Sequence, residues 1–334
     1  MKSKIFTVLK IVLSLAFGVF IIWLFYDALC ADQRTQLFQA FKDANYFWVF
    51  LGVLMSWLAF MSRAYRWKFS LEPMGHKVKF WQLYHSVAIG YLVNMVFPRA
   101  GEASRAGVIA KSDGVPFQKG FGSILAERAV DASVLATIAL VTFFMQSDRY
   151  EMFTTKMDEF QSGRVGCGNT VIFSILGKIV LYGVLAGVVL AVVLFVIRPS
   201  FRSKLRDFVA GIFEGLLSIF RMQKKVAYLG HTALIWLLYI GMFYVNFQAV
   251  DGMEGMGWDA IFAGFVAGAV GIVLVQGGIG LYPAFVGLTV SMYIPGVSTG
   301  IAPEALAMGW IAWTAQAVGI VVFGLISLAL AKKS

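Results

Sequence analysis

Residues 80–110 read FWQLYHSVAIGYLVNMVFPRAGEASRAGVIA, an apolar stretch interrupted near its middle by Pro98 and Arg99. Proline removes a backbone donor and disfavours helix in the residue before it, so the stretch is not expected to form one continuous helix. Basic residues flank it on both sides, in the segment 63–79 and around Lys111. Because such loops stay in the cytoplasm, the pattern predicts a re-entrant helical hairpin that enters the membrane and returns to its own side.

A second interrupted stretch lies at 260–293, and it breaks at Gln276-Gly277-Gly278-Ile279-Gly280. The acidic loop 251–259 and the loop 294–304 flank it, and both are predicted to be external, so the two hairpins enter from opposite faces. Breaks expose backbone groups that hydrocarbon does not satisfy, and they persist only inside protein or beside a wet cavity. Paired interrupted segments in the two halves of a chain therefore point to a transport site near the midplane.

The rest of the chain has the composition of a membrane protein. Of its 334 residues, 59% are hydrophobic and 14% are charged, whereas soluble domains have about 45–50% apolar and about 25% charged residues. Six segments are long and apolar enough to span a bilayer: 5–26, 46–62, 120–145, 171–197, 227–250 and 305–331. The sequence predicts an all-α polytopic protein, a single integral membrane domain over 1–334 with about six transmembrane helices and two hairpins.

The net charge of +10 raises the question of a nucleic-acid partner. Lysine and arginine concentrate at both termini and in the segments 63–79, 111–119 and 198–226, which alternate with external loops in the predicted topology. This is the positive-inside pattern of membrane proteins, and it explains the charge without nucleic acid. It places the chain in an inner or plasma membrane with its N- and C-termini in the cytoplasm.

Ionisable side chains at membrane depth concentrate around the first break. They are Arg99, Glu102, Arg105, Glu127, Arg128 and Asp131. Each costs about 2.5–3.5 kcal/mol on insertion scales, so they must pair with one another or meet water. One interpretation is a buried salt-bridge network that docks the hairpin on its neighbour. The other is a polar cavity in which arginines hold a charged lipid head group, and the two interpretations are compatible.

These residues resemble the signature of a known family. The matching positions are Asn94, Pro98-Arg99-Ala100-Gly101-Glu102, Arg105, Glu127-Arg128 and Asp131, with Arg63-Ala64-Tyr65-Arg66-Trp67 upstream and Gly277-Gly278-Ile279-Gly280 downstream. They look like the lysylphosphatidylglycerol synthetase/flippase transmembrane-region family. The resemblance implies a multi-span lipid translocase. Some members carry a soluble aminoacyl-transferase domain that is not expected here, so synthetase activity is not carried over.

One departure from the family pattern concerns the glycine-rich break. The family commonly has P-G-G-x-G-x-x-E, but here Gln276 stands in place of the proline and Pro283 in place of the acid. The departure implies a different substrate or energy source. Gly277, Gly278 and Gly280 either present backbone N–H groups to a phosphate or let helices pack closely, and the sequence leaves both open.

The remaining features narrow the possible chemistry. The three histidines have no metal-ligand spacing, and no nucleotide-binding or nucleophile motif is found, so no metal or cofactor is expected. Cys30 and Cys167 both fall on the predicted external side, where a disulfide is permitted but not established by spacing.

The leading hypothesis is a lipid flippase-like transporter with a polar cavity between the two hairpins. Three arginines, Arg99, Arg105 and Arg128, are expected to bind phosphate, and Glu102, Glu127 and Asp131 to orient them or balance their charge. The alternative is a membrane-embedded enzyme or accessory subunit that modifies a lipid head group, with Glu127 or Asp131 as base. A scaffold in which the charges are only structural is a third possibility. Membrane lipids are the expected partners, together with a possible lipid-synthesising enzyme.

Overall fold

A computed structural model describes residues 29–97, 100–146, 223–294 and 301–331, with scattered positions at 18–27, 151, 155 and 190–206. Every regular element in these ranges is helical. The helices are α1 (Ala31–Asp43), α2 (Tyr46–Leu71), α3 (Phe80–Val96), α4 (Gly101–Asp113), α5 (Phe117–Met145), α6 (Lys225–Phe247), α7 (Trp258–Leu274), α8 (Leu281–Ser291) and α9 (Pro303–Ala331). Short 3-10 turns occupy Glu72–Met74 and Gln276–Gly278. The protein is thus an all-α polytopic membrane protein.

Four of these helices are long and apolar enough to cross a membrane: α2 with its 3-10 extension, α5, α6 and α9. A segment in hydrocarbon must satisfy its backbone internally, which explains why each long apolar run is helical. These four helices confirm the predicted spans 46–62, 120–145, 227–250 and 305–331. The other two predicted spans, 5–26 and 171–197, lie outside the described residues apart from scattered positions.

The helix that contains the second predicted span continues beyond it. The sequence predicted a span over 46–62 and a cytoplasmic segment over 63–79, and α2 runs on through part of that segment to Leu71, a length of about 39 Å at 1.5 Å per residue. Arg63 and Arg66 lie on this continuation and are 2% and 0% exposed. Hydropathy ends a span at charged residues because it does not include the carboxylates on another helix that neutralise them.

Both interrupted stretches fold back on themselves, as predicted. In the first hairpin, α3 packs on α4 so closely that a Cβ on Gly101 would lie 2.2 Å from the carbonyl oxygen of Gly90. In the second, α7 packs on α8, and a Cβ on Gly271 would lie 2.9 Å from the backbone of Tyr282. Glycine is required at these crossings because backbone, rather than a movable side chain, occupies the space.

Contacts between helix ends show that the hairpins open toward opposite ends of the bundle. The N–H of Asn45 donates to the carbonyl of Ala249 at 2.8 Å, which joins the start of α2 to the end of α6. At the other end, the Lys224 ammonium lies 2.8 Å from the Glu72 carboxylate. The first hairpin follows Glu72 and the second follows Ala249 in the chain, so each starts from a different end. We call these the Glu72 end and the Ala249 end.

Two apolar cores support the hairpins. One lies among α2, α3, α4 and α5 and includes Trp67, Leu83 and Ile124. The other is formed largely by α6, α7, α8 and α9 and includes Phe243 and Met308. Between them the tip of the second hairpin approaches α3, with Cα atoms within 8 Å. The tip of the second hairpin therefore lies against the first hairpin.

The short helix α1 lies at the Ala249 end. Gln33 on this helix donates to the carbonyl of Ile301 at 3.4 Å, just before α9 begins. Cys30, at its N-cap, is disulfide-bonded. Cys167, the other cysteine of the sequence, lies outside the described residues.

Candidate functional site

Asp131 on α5 accepts hydrogen bonds from two arginines of another helix, α2. Its Oδ2 accepts from Arg63 Nη1 at 2.7 Å and from Arg66 Nη2 at 3.0 Å, and its Oδ1 accepts from Arg66 Nη1 at 2.6 Å. Both arginines come from the last turns of α2, three residues apart and therefore on one helix face. A single carboxylate thus joins α2 to α5 through three charge-assisted hydrogen bonds.

Glu127 lies one turn before Asp131 on the same face of α5, and it pairs with an arginine from a different helix, α4. Its Oε2 accepts from Arg105 Nη2 of α4 at 3.1 Å and lies 3.9 Å from Arg66 Nη2. The Arg105 guanidinium also lies 3.9 Å from the ring centroid of Trp67 on α2, a cation–π contact. Both partners are buried, so this pair docks the return arm of the first hairpin on α5.

We call these five residues the buried charge cluster: Arg63, Arg66, Arg105, Glu127 and Asp131. Glu127 and Asp131 lie ten and fourteen residues into α5, or about 15 Å and 21 Å from its start. Glu127 Oε1 is buried and has no hydrogen-bond partner among the described residues. Charged groups buried among apolar helices persist only because they pair with one another.

Two further charged residues, Arg128 and Glu102, form a more exposed pair, which we call the accessible ion pair. Arg128 Nη2 lies 3.0 Å from Glu102 Oε1, and the two side chains are 38% and 20% exposed. Arg128 follows Glu127 directly and leaves α5 on a neighbouring face, while Glu102 begins α4 immediately after the break. The pair therefore lies where the buried charge cluster meets the surface of the described helices.

Asn94 fixes the geometry of the break. Its Oδ1 accepts from the N–H of Gly101 at 2.7 Å, and its Nδ2 donates to Glu102 Oε2 at 3.4 Å. The first hydrogen bond satisfies one of the N–H groups that the first turn of α4 leaves without a helical partner. The second orients the Glu102 carboxylate toward Arg128.

The site has an excess of positive charge. Across the buried charge cluster and the accessible ion pair, four arginines face three carboxylates, which leaves one uncompensated positive charge. In a medium of low dielectric such an excess acts over a longer distance than in water. An anion bound beside Arg128 would neutralise it.

The structure brings together most of the predicted site residues. Those in mutual contact are Asn94, Glu102, Arg105, Glu127, Arg128 and Asp131, in three groups linked along α5. Arg99 lies outside the described residues. The arginines and carboxylates form the salt-bridge network that one interpretation of the sequence predicted, with one pair left accessible.

The three glycines of the second break lie at the other hairpin tip. Gly277, Gly278 and Gly280 have φ angles of 67°, 68° and 74°, in the left-handed region that favours glycine. The Gly278 N–H donates to the carbonyl of Val275 at 2.8 Å, and the Gly277 carbonyl accepts from Trp313 Nε1 at 2.7 Å. The Trp313 bond holds the tip against α9, and a Cβ on Gly278 would lie 3.0 Å from side-chain atoms of Ile272 and Tyr282.

Four residues that contact the charged groups were not predicted as site residues from the sequence: Arg63, Arg66, Tyr91 and Tyr239. Arg63 and Arg66 entered only as part of the family resemblance. The arginine pair carried a usable signal, since its spacing of three residues matches that of Glu102 and Arg105, but it was assigned to a loop. The tyrosines gave no signal, because an isolated tyrosine in an apolar helix is ordinary in sequence. Tyr239 accepts from Arg63 Nη2 at 3.2 Å and contacts the Tyr91 hydroxyl at 3.2 Å.

The profile of the Lysylphosphatidylglycerol synthase TM region matches residues 11–324. The chain belongs to this family. The match covers every residue of the charge cluster and both hairpins, and it confirms the resemblance seen in the sequence. No solved structure matches the chain.

Two curated proteins are similar to parts of this family member. The UPF0104 membrane protein MJ1595 of Methanocaldococcus jannaschii is 25% identical over 115 residues, which are 33% of this chain and 34% of that protein. The glycosyltransferase AglD of Haloferax volcanii is 28% identical over 106 residues, 31% of this chain and 17% of that protein. The aligned parts thus span about a third of the first relative and about a sixth of the second.

Proposed function

We propose that this protein transports a charged lipid across the membrane, with the lipid phosphate bound at Arg128. The observation that carries the proposal is the accessible ion pair at the hairpin break, beside buried charges with one positive charge in excess. A phosphate that replaced the Glu102 carboxylate at Arg128 would meet the planar fork of donors that guanidinium offers. The acyl chains would stay in the bilayer, because only the head group needs a polar path.

The buried charge cluster has a supporting role in this proposal. Arg105 and Asp131 are committed to protein partners and are 4% and 8% exposed, so they hold α2, α4 and α5 together rather than bind lipid. Arg128 and Glu102 are then the groups whose pairing changes, because the lipid phosphate takes the place of the Glu102 carboxylate at Arg128. Glu102 serves as the internal counter-ion, which keeps Arg128 paired when no lipid is bound.

The environment of the site follows from the charge pattern. Basic segments cluster at the Glu72 end of the helices and at the chain termini, so we place that end in the cytoplasm of an inner or plasma membrane. The sequence contains no nucleotide-binding motif, and we propose that translocation is downhill or coupled to an ion. An enzyme that synthesises the lipid is the proposed protein partner.

The alternative function, modification of a lipid head group, has one relative in its favour, because AglD is named a glycosyltransferase. A base must be available to the substrate. Glu127 and Asp131, the candidate bases, both accept from arginines and are 1% and 8% exposed. Transport without lipid chemistry is therefore the better-supported proposal.

Proteoliposomes test the proposal. The purified protein should accelerate the movement of fluorescent phosphatidylglycerol between leaflets, and Arg128→Gln should slow it at least about tenfold, because a charge-assisted hydrogen bond contributes about 1.5–3 kcal/mol. The double variant Arg128→Gln/Glu102→Gln removes both charges of the pair and should show the same loss without leaving Glu102 unpaired. The control is Arg34→Gln, which changes a half-exposed arginine outside the charge cluster that lies 3.8 Å from the Asp27 carboxylate and donates to the carbonyls of Tyr26 and Asp27.

Mass spectrometry of the same vesicles separates the two functions. Transport leaves the lipid masses unchanged, whereas a modified head group would show a new lipid species. Equal rates for wild type and the double variant, or a wild-type rate equal to that of protein-free vesicles, would refute the transport proposal.

A further inference from the structure

We propose that Tyr91 and Tyr239 form a second element of the lipid site, in which the Tyr91 hydroxyl donates a hydrogen bond to a phosphate oxygen of the lipid. The inference rests on the proposed function and adds to it a neutral donor on a different helix from Arg128. Nothing in the sequence or in the family match assigns a role to either tyrosine.

The pair is a defined geometric unit. The hydroxyl oxygens of Tyr91 on α3 and Tyr239 on α6 are 3.2 Å apart, and Arg63 Nη2 of α2 donates to the Tyr239 oxygen at 3.2 Å. The Tyr91 ring stacks on Phe60, with 4.5 Å between ring centroids and an interplanar angle of 7°. Arg63 is held in turn by Asp131. Three helices therefore fix the position of the two hydroxyl groups.

The two tyrosine hydroxyl groups have one hydrogen-bond acceptor too few among the described residues. Each tyrosine hydroxyl supplies one hydrogen to donate. The Tyr91–Tyr239 hydrogen bond uses one of the two, and the Arg63 contact uses none because the guanidinium is the donor. One hydroxyl hydrogen is left without an acceptor among the described residues. The two tyrosines are half-buried, and a donor that lacks an acceptor in such a place costs free energy, so an acceptor from a ligand would be favourable here.

The Arg63 contact selects which tyrosine carries the free hydrogen. A guanidinium that donates to the Tyr239 oxygen draws electron density from it and makes the Tyr239 O–H a better donor. The favoured order therefore runs from Arg63 to Tyr239, from Tyr239 to Tyr91, and from Tyr91 to the ligand. Tyr91 is the terminal donor.

The position of Tyr91 identifies the class of acceptor. It lies three residues before Asn94 on α3, so the two side chains share a helix face, and Asn94 contacts Glu102 of the accessible ion pair. The Arg63 guanidinium lies 5.9 Å from the centroid of the Tyr91 ring, and Arg63 and Arg128 act on Tyr91 more strongly than the Asp131 carboxylate, which opposes them. An acceptor at this place is surrounded by excess positive charge, which favours the anionic oxygen of a phosphate group.

Equilibrium binding to the purified full-length protein tests the inference with three probes: fluorescent phosphatidylglycerol, a fluorescent diacylglycerol without phosphate, and inorganic phosphate. Tyr91→Phe keeps the ring that stacks on Phe60 and should weaken phosphatidylglycerol binding about tenfold, since the hydrogen bond ends on a charged group. Tyr239→Phe should have a smaller effect, because Tyr91 keeps its own donor. The double variant should be no weaker than Tyr91→Phe, because the pair acts as a unit.

Two comparisons guard against a merely structural effect. Tyr244→Phe, five residues along α6 and stacked on Trp258, should bind phosphatidylglycerol as wild type does. Diacylglycerol binding should be the same in wild type and Tyr91→Phe. The free energy of unfolding of the ligand-free protein should fall by no more than about 1.5 kcal/mol, because the variant loses only the Tyr91–Tyr239 hydrogen bond. A general packing defect would weaken diacylglycerol binding and lower the stability further.

The remaining outcomes separate this inference from the proposed function. If Arg128→Gln loses phosphatidylglycerol binding and Tyr91→Phe keeps it, the tyrosine assignment is overturned while the transport proposal stands. If wild type does not bind phosphatidylglycerol, both are overturned. If Tyr91→Phe weakens only the binding of inorganic phosphate, the hydroxyl serves a free anion and the lipid assignment is overturned.

Discussion

Replacing Asp131 with asparagine removes the carboxylate that joins α2 to α5. Asp131 accepts three hydrogen bonds, at 2.6, 2.7 and 3.0 Å, from two buried guanidinium groups. Asparagine keeps one acceptor oxygen and turns an NH2 group toward the donors. One bond is lost if the oxygen takes the Oδ2 position, which accepts two bonds, and two are lost if it takes the Oδ1 position. The positive excess of the site rises from one charge to two. Removing one partner of a buried ion pair costs about 3–5 kcal/mol, and we expect the free energy of unfolding to fall by that amount.

Unfolding of the purified protein in mixed detergent, followed by circular dichroism, measures this change. The matched control is Asp113→Asn, since Asp113 lies exposed at the end of α4 and accepts from the Ser112 hydroxyl at 2.5 Å. The control should stay within about 0.5 kcal/mol of wild type. Adding Arg66→Met to Asp131→Asn removes one of the uncompensated guanidinium groups and should restore at least about 1 kcal/mol.

A free energy of unfolding for Asp131→Asn within about 1 kcal/mol of the wild-type value would contradict this expectation. That result would mean that water solvates the two arginines and that their pairing with Asp131 is not needed to hold α2 against α5. It would also remove the distinction between the buried charge cluster, which we treat as structural, and the accessible ion pair.

Two further predictions concern the first hairpin and the Glu72 end. Gly101→Ala places a Cβ 2.2 Å from the Gly90 carbonyl oxygen and should lower the free energy of unfolding by about 3 kcal/mol, whereas Gly107→Ala, with nothing within 4 Å, should be neutral or slightly stabilising. A tolerated Gly101→Ala would show that α3 and α4 separate easily. Glu72→Gln breaks the pair with Lys224, whose side chain is 57% exposed, and should cost less than about 1 kcal/mol. A larger loss in the same unfolding assay would make this contact a closure of the bundle rather than a surface ion pair.

In the proposed function, one network of charges has both a structural and a lipid-binding part. Glu127 and Asp131 pair with Arg66 and Arg105, and these pairs join α2, α4 and α5 beside the hairpin break. Arg128, on the same helix α5, is paired with Glu102 and keeps part of its side chain exposed. The proposal therefore assigns the salt-bridge interpretation to the buried charge cluster and the lipid-binding interpretation to the accessible ion pair.

Much of the fold was predictable because it depends on local properties. A span needs enough apolar residues to cross hydrocarbon, and a break needs proline or glycine, so hydropathy located four described spans and both hairpins. The spacing of Glu127 and Asp131, one helical turn apart, likewise predicted that they share a face of α5. These features lie within a single segment and do not require knowledge of its neighbours.

The pairing of the charges was decided only by tertiary structure. Arg63 and Arg66 are 68 and 65 residues from Asp131 in sequence, and Tyr239 is 148 residues from Tyr91. Nothing within α2 shows that a carboxylate on α5 will neutralise its arginines, so hydropathy ended the helix too early. Which charges are buried and which remain open depends on how α2, α4 and α5 pack side by side, because burial is a property of neighbouring helices and not of the residue itself.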